Sequence, residues 1–250
     1  MMIPIDDAET LSRIFHLNSE PWLNEEAYRG NPFHQEYKNH PAATARIPLP
    51  DPHRGQLASL FSSRHSTRAF ADWTMPLSVI SNLLFSAYGV VEIAKMETGG
   101  KYLRRSVPSA GALYPLELYL LLRRIDKLED GLYHYDSISH ALEQIWGGDW
   151  SPACQEAFYT YPFIVGANAV VCYSAVFSRC QTKYGPRGYR YILLEAGHSA
   201  QNVCITAEDL GLATLCMGGF KDSILNSLLG LSPLAEGAVY TVAVGKAMPE

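Results

Sequence analysis

The 250-residue chain has no excess of basic charge, no long apolar run and few cysteines. Its 20 lysines and arginines stand against 25 aspartates and glutamates, a formal net charge of -5. That argues against nucleic acid as the main partner, because binding a phosphate backbone needs a basic face. One local basic pocket for a small phosphate remains compatible with it. No apolar stretch approaches the ~20 residues of a membrane span. The opening, MMIPIDDAET, has neither the basic nor the apolar region of a signal peptide. Cys154, Cys172, Cys180, Cys204 and Cys216 are odd in number and include no CxxC pair. Such usage fits reduced, mostly buried thiols in a reducing compartment. The expectation is a soluble cytoplasmic protein with neither membrane nor nucleic acid as partner.

The common catalytic signatures are missing as well. No GxGxxG follows a strand, no GxxxxGK[ST] occurs and no HExxH occurs. The nearest approach to GxSxG, Gly197-His198-Ser199-Ala200-Gln201, lies in a helical pattern and lacks the second glycine. The eight histidines are scattered, and no metal is expected. Dinucleotide-fold, P-loop, serine-hydrolase and zinc-enzyme readings all lose ground.

What is present is a full core. With 48% hydrophobic and 11% aromatic residues, disorder is excluded as the main state. A single domain of this size buries roughly three quarters of its unfolded surface. The N-terminal residues 1–56 read as an extended arm, aperiodic and rich in Pro, His, Asn and Tyr between Pro21 and Pro52. Residues 57–250 form the body. Pro76 to Val90 has helical spacing and a stop at Gly89. Leu116 to Leu122 and Ala167 to Ser174 read as buried strands. Gly131 to Asp136 and His140 to Ile145 form a hairpin. Tyr189 to Leu210 is the longest helical signal, and Asp222 to Leu229 a short one. Leu212 to Met217 and Ala238 to Val244 finish as strands. The order predicts an α+β fold with a mixed central sheet flanked by helices.

Four segments carry chemistry. In Arg64-His65-Ser66-Thr67-Arg68, two guanidinium groups flank two hydroxyls, a donor set suited to a phosphate monoester. The bland alternative is a solvated basic loop. In the 106–115 segment, Pro108-Ser109-Ala110-Gly111-Ala112-Leu113 is a rigid loop of small residues whose backbone can approach a flat ligand. The alternative is an ordinary turn. Lys183 and Tyr184, with Arg187 and Arg190 nearby, are candidates for proton transfer, since neighbouring cations ease the loss of a proton. The alternative is a surface loop with snorkelling cations. Cys216-Met217-Gly218-Gly219 is a strand end followed by two glycines, where backbone can pass over a ligand face.

In this order the segments resemble the FMN-dependent nitroreductase superfamily, with Arg64 to Arg68 as its phosphate-contacting RxSxR/K element. More narrowly the chain resembles the SagB-type dehydrogenases, the azoline oxidases of peptide natural-product biosynthesis. The matching residues are PSAGxLYPLE at Pro108 to Glu117, GLYxYD at Gly131 to Asp136 with His140 and Leu142 following, and KYGxRGYRYxLLEAGHxAQN from Lys183 to Asn202. The resemblance runs from Leu57 to Gly245 and implies a homodimer formed through long central helices. It implies FMN held by Arg64, His65, Ser66, Thr67, Arg68, Pro108, Ser109, Ala110, Gly111, Leu113, Gln201, Met217, Gly218, Gly219 and Lys246. It makes Lys183 and Tyr184 the catalytic pair in oxidation of a thiazoline or oxazoline to the aromatic azole, with oxygen restoring the flavin. The substrate would be peptide-embedded or carrier-tethered, and a cyclodehydratase or synthetase a partner. Two positions depart from the pattern: Ala112 replaces the second glycine of the loop, and Ser137 replaces the proline common after the hairpin Asp. The same fold also serves NAD(P)H-dependent nitro- or quinone reductases, and a non-catalytic flavin-binding scaffold is the reading from a different class.

Overall fold

Leu116, Leu118, Leu120 and Leu122 alternate with Glu117, Tyr119 and Leu121. That period of two sends successive side chains to opposite faces of a sheet. In the computed structural model, which describes residues 8–19, 42, 44–53, 55–95, 101–158 and 161–249, both faces are covered. The strand Leu116–Leu122 (β3) lies between β4 (Gly131–Asp136) and β6 (Ala169–Val176). With β5 (Ala141–Gly147), β7 (Ala213–Met217) and β8 (Glu236–Gly245) they form one six-stranded sheet in the order β5-β4-β3-β6-β8-β7. A separate hairpin pairs β1 (Val90–Lys95) with β2 (Lys101–Arg105).

Among the described residues, every strand pair is antiparallel. The expected mixture reduces to isolated parallel bridges, Ser66 with Thr214 beyond the β7 edge and Met75 with Ile125. For the β3–β4 and β4–β5 pairs the physical reason is the short connections 123–130 and 137–140, which leave no room for the crossover a parallel pair requires.

One face of the sheet carries Leu116, Leu118, Leu120, Val171, Tyr173 and Val242. Against it pack α3 (Leu77–Tyr88), α5 (Phe177–Tyr184) and the 23-residue α6 (Arg187–Asp209). The other face carries Leu121, Val170, Cys172, Leu215 and Met217 under α4 (Ser151–Ala157) and α7 (Asp222–Leu229). The buried stripe of α6 is Gly188, Ile192, Glu195, Ala196, Ser199, Ala200, Val203, Cys204 and Ala207, at three-to-four spacing. Its small members admit α3 closely, and Ser199 Oγ donates to the Ala87 carbonyl at 2.7 Å.

Within the segment read as an extended arm, α1 (Ala8–Asn18) is helical. It docks on the α5–α6 pair: Gln181 Nε2 donates to Ser12 Oγ at 2.5 Å, and His16 Nδ1 lies 3.0 Å from Tyr189 Oη. Most of Pro21 to Pro52 lies outside the described residues; residues 44–53 carry neither helix nor strand, and α2 (Gln56–Ser63) follows.

Candidate active site

Helix α5 stops because Gly185 adopts φ +56 and donates its N–H back to the Gln181 carbonyl at 2.7 Å. Pro186 then opens α6. Lys183 and Tyr184 therefore sit at the tight α5–α6 corner, on the last turn of a helix rather than in a surface loop. Lys183 Nζ is 5.3 Å from the centre of the Tyr184 ring, and that ring stands edge-on to Tyr191.

The loop between β2 and β3 closes onto this corner. Ser109 Oγ accepts the Tyr114 N–H at 2.9 Å, and Gly111, Ala112 and Tyr114 all have positive φ (+63, +53 and +46). A Cβ built on Gly111 would lie 2.6 Å from Tyr184 Oη and 2.8 Å from Lys183 Nζ. Only glycine allows the loop backbone this near both polar atoms. Ala112 takes the same left-handed conformation with a side chain attached, at a cost of roughly 1–2 kcal/mol.

Beside them lies a cavity of about 760 Å³, lined by Arg105, Gly111, Ala112, Leu113, Tyr114, Glu117, His134 and Arg179 among others. A chain of charges crosses its wall. Arg179 pairs with Glu117 at 2.5 Å; Glu117 meets His134 Nε2 at 3.1 Å; His134 Nδ1 meets Glu143 at 2.8 Å. The hydrogen bond to Glu117 outweighs burial and, with Glu143, raises His134 to about 9. Burial works to raise the Glu117 carboxyl, but His134 and Arg179 together hold it below its ordinary value. Arg105 donates to the Tyr88 carbonyl at 2.9 Å and lies over the Tyr88 and Tyr114 rings at 4.5 and 5.3 Å. Behind the loop, Tyr88 Oη donates to buried Glu195 at 2.6 Å; burial raises the Glu195 carboxyl, opposed by hydrogen bonds from Ser109 and Tyr88.

A second cluster lies farther along α6. Thr67 N donates to the Thr214 carbonyl at 3.0 Å, and Ser66 bridges to Thr214, so residues 64–68 extend the sheet past β7. Lys246 approaches from the end of β8 and donates to the Gly211 carbonyl at 2.8 Å. Arg64 and Arg68 have no carboxylate within ion-pair distance among the described residues. The ring of His65 is turned to the Ser63 carbonyl at 3.0 Å. From Glu195 beside the first cluster to Cys204 beside the second, nine α6 residues span about 14 Å at 1.5 Å per residue.

The other expected positions are dispersed. Pro108, Gln201 and Gly218 are exposed, and Ser109, Ala110, Leu113 and Gly219 half-buried. The Met217 side chain is buried on the sheet face away from α6, which leaves only its backbone for a ligand there. Gly219 faces Tyr161, whose Oη would lie 3.3 Å from an added Cβ. Sequence reasoning missed Arg105, His134 and Arg179 as cavity residues. Arg179 stands one helical turn before Lys183 and so shares its face, a signal available only once 177–184 is read as a helix.

The donor set fits FMN. Among the buried hydroxyls without a hydrogen-bond partner are Thr67 Oγ1 in the basic cluster and Ser106 Oγ at the head of the loop; Ser151 Oγ and Tyr173 Oη are the others among the described residues. Buried polar groups are otherwise almost always satisfied. Unpaired arginines beside an unsatisfied hydroxyl are what a phosphate monoester would complete.

The sheet, the helices on its two faces and these two clusters define a nitroreductase-type oxidoreductase, and the chain belongs to the nitroreductase family, whose model matches residues 61–246. Proteins of this family generally bind flavin. The nitroreductase-type protein MJ1384 of Methanocaldococcus jannaschii is 36% identical over 186 residues, 74% of this chain and 90% of that protein. The trifolitoxin-processing protein TfxB of Rhizobium leguminosarum bv. trifolii is 30% identical, over 89% of this chain but only 61% of its own length. The microcin B17-processing protein McbC of Escherichia coli is 31% identical over 51% of this chain and 49% of its own. In fold, the chain superposes on a chain of the E. coli microcin synthetase McbBCD complex with TM-score 0.74 and 22% identity, covering 97% and 94% of the two chains. Among the described residues, no helix is long and apolar enough to cross a membrane, and no cluster of His, Cys, Asp and Glu is placed to hold a metal ion.

Proposed function

We propose that the protein is an FMN-dependent dehydrogenase that oxidises a peptide-derived thiazoline or oxazoline to the corresponding azole. The observation that carries this is the convergence at Gly111, where the loop backbone meets Tyr184 Oη and Lys183 Nζ at the edge of a large half-polar cavity. Arg64, Ser66, Thr67, Arg68 and Lys246 would hold the phosphate, and the 108–113 loop and the backbone of 217–219 the ring. Held there, FMN would supply the acceptor for the hydride equivalent, with oxygen as the final electron acceptor.

The chain's own part is proton transfer and positioning. The acidic hydrogen of an azoline lies next to the carbonyl and the C=N bond. Tyr184 Oη or Lys183 Nζ removes it, and the azole's aromaticity drives the step. The Arg179–Glu117–His134 chain ties the strand to the loop, since Arg179 also reaches the Tyr114 carbonyl at 3.5 Å.

The processing roles in the names of TfxB and McbC, and the synthetase in the McbBCD complex, support a peptide substrate and a cyclodehydratase or synthetase partner. A homodimer is part of the same reading. Leu57, Phe61, Phe85 and Leu194 are about half exposed, and a groove of about 580 Å³ with a mixed polar and apolar lining lies between α2, α3 and α6. The deciding experiment incubates the flavin-loaded protein with an azoline-containing peptide and oxygen and follows peptide mass. Loss of two hydrogens per ring, with flavin bleaching when oxygen is excluded, is expected. Rapid bleaching by NADPH with no change in the azoline would instead establish a nitro- or quinone reductase.

A further inference from the structure

Cys204 on α6 and Cys216 on β7 bring their sulfurs to 3.5 Å, across the contact between that helix and that strand. Both are free thiols; Cys204 is buried and Cys216 partly exposed. The surroundings set them apart from the other three cysteines. The Cys216 thiol and the Thr214 side chain both hydrogen-bond Cys204, and the positive charge of Arg64 acts on both sulfurs. The hydrogen bond from Cys216 outweighs burial and, with Thr214 and Arg64, holds Cys204 below its ordinary value. The same bond, and then burial, holds the Cys216 proton in place. A thiolate is thus favoured at one sulfur with a thiol in contact, the arrangement of an attacking and a resolving cysteine. By contrast, burial raises Cys154, Cys172 and Cys180.

We propose that Cys204 and Cys216 are a peroxide-reactive dithiol whose closure to a disulfide loosens the basic segment 64–68. The chemistry balances with hydrogen peroxide as oxidant. The Cys204 sulfur attacks the O–O bond, an S–O bond forms, and hydroxide leaves to become water. The Cys216 sulfur then attacks the Cys204 sulfur, the S–S bond forms, the S–O bond breaks, and the Cys216 proton leaves in a second water. Two thiol hydrogens are lost and one peroxide becomes two waters. Reduction of oxygen by a bound flavin is a source of that peroxide at the site itself.

The consequence follows from connectivity. A disulfide requires about 2.05 Å between sulfurs, so the two sulfurs must close by about 1.5 Å, through rotation of their side chains or approach of α6 to β7. The bonded Cys204 no longer presents a thiolate to Thr214 and Arg64. Thr214 is also the backbone partner of Ser66 and Thr67. The change at Thr214 therefore reaches the segment assigned to the phosphate. This second half rests on the FMN reading; the disulfide does not.

The test treats the protein as purified, without azoline substrate, with low hydrogen peroxide, and reads intact mass, cysteine-peptide mapping and released FMN. The expected result is loss of two hydrogens, a Cys204–Cys216 cross-linked peptide and reversal by dithiothreitol. FMN affinity should fall roughly ten- to hundredfold, the equivalent of one lost charge-assisted hydrogen bond. Cys204→Ser and Cys216→Ser should each abolish both effects. A different cysteine pairing, overoxidation of a single cysteine or no mass change overturns the dithiol. A Cys204–Cys216 disulfide that leaves FMN affinity unchanged overturns the coupling. Protein that never carries FMN, yet forms the disulfide, refutes the flavin reading and leaves the dithiol standing.

Discussion

At the scale of single residues, Lys183 and Tyr184 are the sharpest test. Tyr184→Phe keeps the ring and its edge contact with Tyr191 and removes only the hydroxyl facing Gly111. Turnover should fall by ~10²–10⁴, the usual contribution of a general acid or base. Lys183→Ala should act similarly. Lys183→Arg keeps a cation but cannot serve as a base near neutral pH. Near-normal azoline oxidation by both Tyr184→Phe and Lys183→Ala, with FMN bound, refutes the assignment. Ala112→Gly is predicted to stabilise by about 1 kcal/mol, because φ +53 strains any residue with a Cβ; a lower melting temperature than the parent contradicts this. His134 makes stability depend on pH. Its value rises from 6.5 to about 9 on folding, so the folded state holds the proton more tightly. That stabilisation is complete below pH 6.5 and is lost as pH rises through about 9. Melting temperatures across this range should decline more steeply for the parent than for His134→Gln, and parallel curves would discount the charge chain.

At the scale of elements, the α5–α6 corner holds the proposed catalytic pair, and Gly188 holds the corner. A Cβ there would lie 3.0 Å from backbone atoms of Cys180 and Gln181. Alanine is the better helix former by about 1 kcal/mol, yet Gly188→Ala should destabilise by roughly 1–3 kcal/mol through overpacking. A stabilised variant would mean that the helices separate freely. Much of this level is legible in the chain itself. The proline-led α3, the β4–β5 hairpin and the long α6 lie within a few residues of where spacing puts them. Helix α5 is not legible, because its eight residues hold only two buried apolar positions, Phe177 and Cys180, too few for a period. The β1–β2 hairpin escaped for a related reason. It stands apart from the main sheet, with Val91 and Ile93 exposed, and shows no clean alternation toward a core.

At the scale of the molecule, the expected particle is a yellow homodimer that releases FMN, and not FAD, on denaturation. Arg68→Ala should raise the FMN dissociation constant by roughly ten- to hundredfold without unfolding the chain. Colourless parent protein with an intact fold would remove the whole flavin reading. Light scattering should give twice the chain mass, and a clean monomer with flavin bound would contradict the dimer. A polar substitution on the α2 face, Phe61→Glu, should weaken the dimer if the exposed apolar side chains of α2, α3 and α6 form its interface.

The residues proposed for the chemistry are marked out by type and order. Two arginines around two hydroxyls, a glycine loop before a strand, and a lysine beside a tyrosine are local facts, and local facts survive in a linear chain. What the chain cannot display is distance between segments far apart in number. That Gly111 touches Tyr184, or that Glu117, His134 and Arg179 share one wall, depends on the β4-β3-β6 strand order and on the turn at Gly185. Cys204 and Cys216 read as two of five unremarkable thiols until a helix is laid on a strand and brings their sulfurs to 3.5 Å. Composition and spacing settle which groups are available; packing of α6 on the sheet decides which of them meet, because side-chain contacts across a core are made by tertiary structure alone.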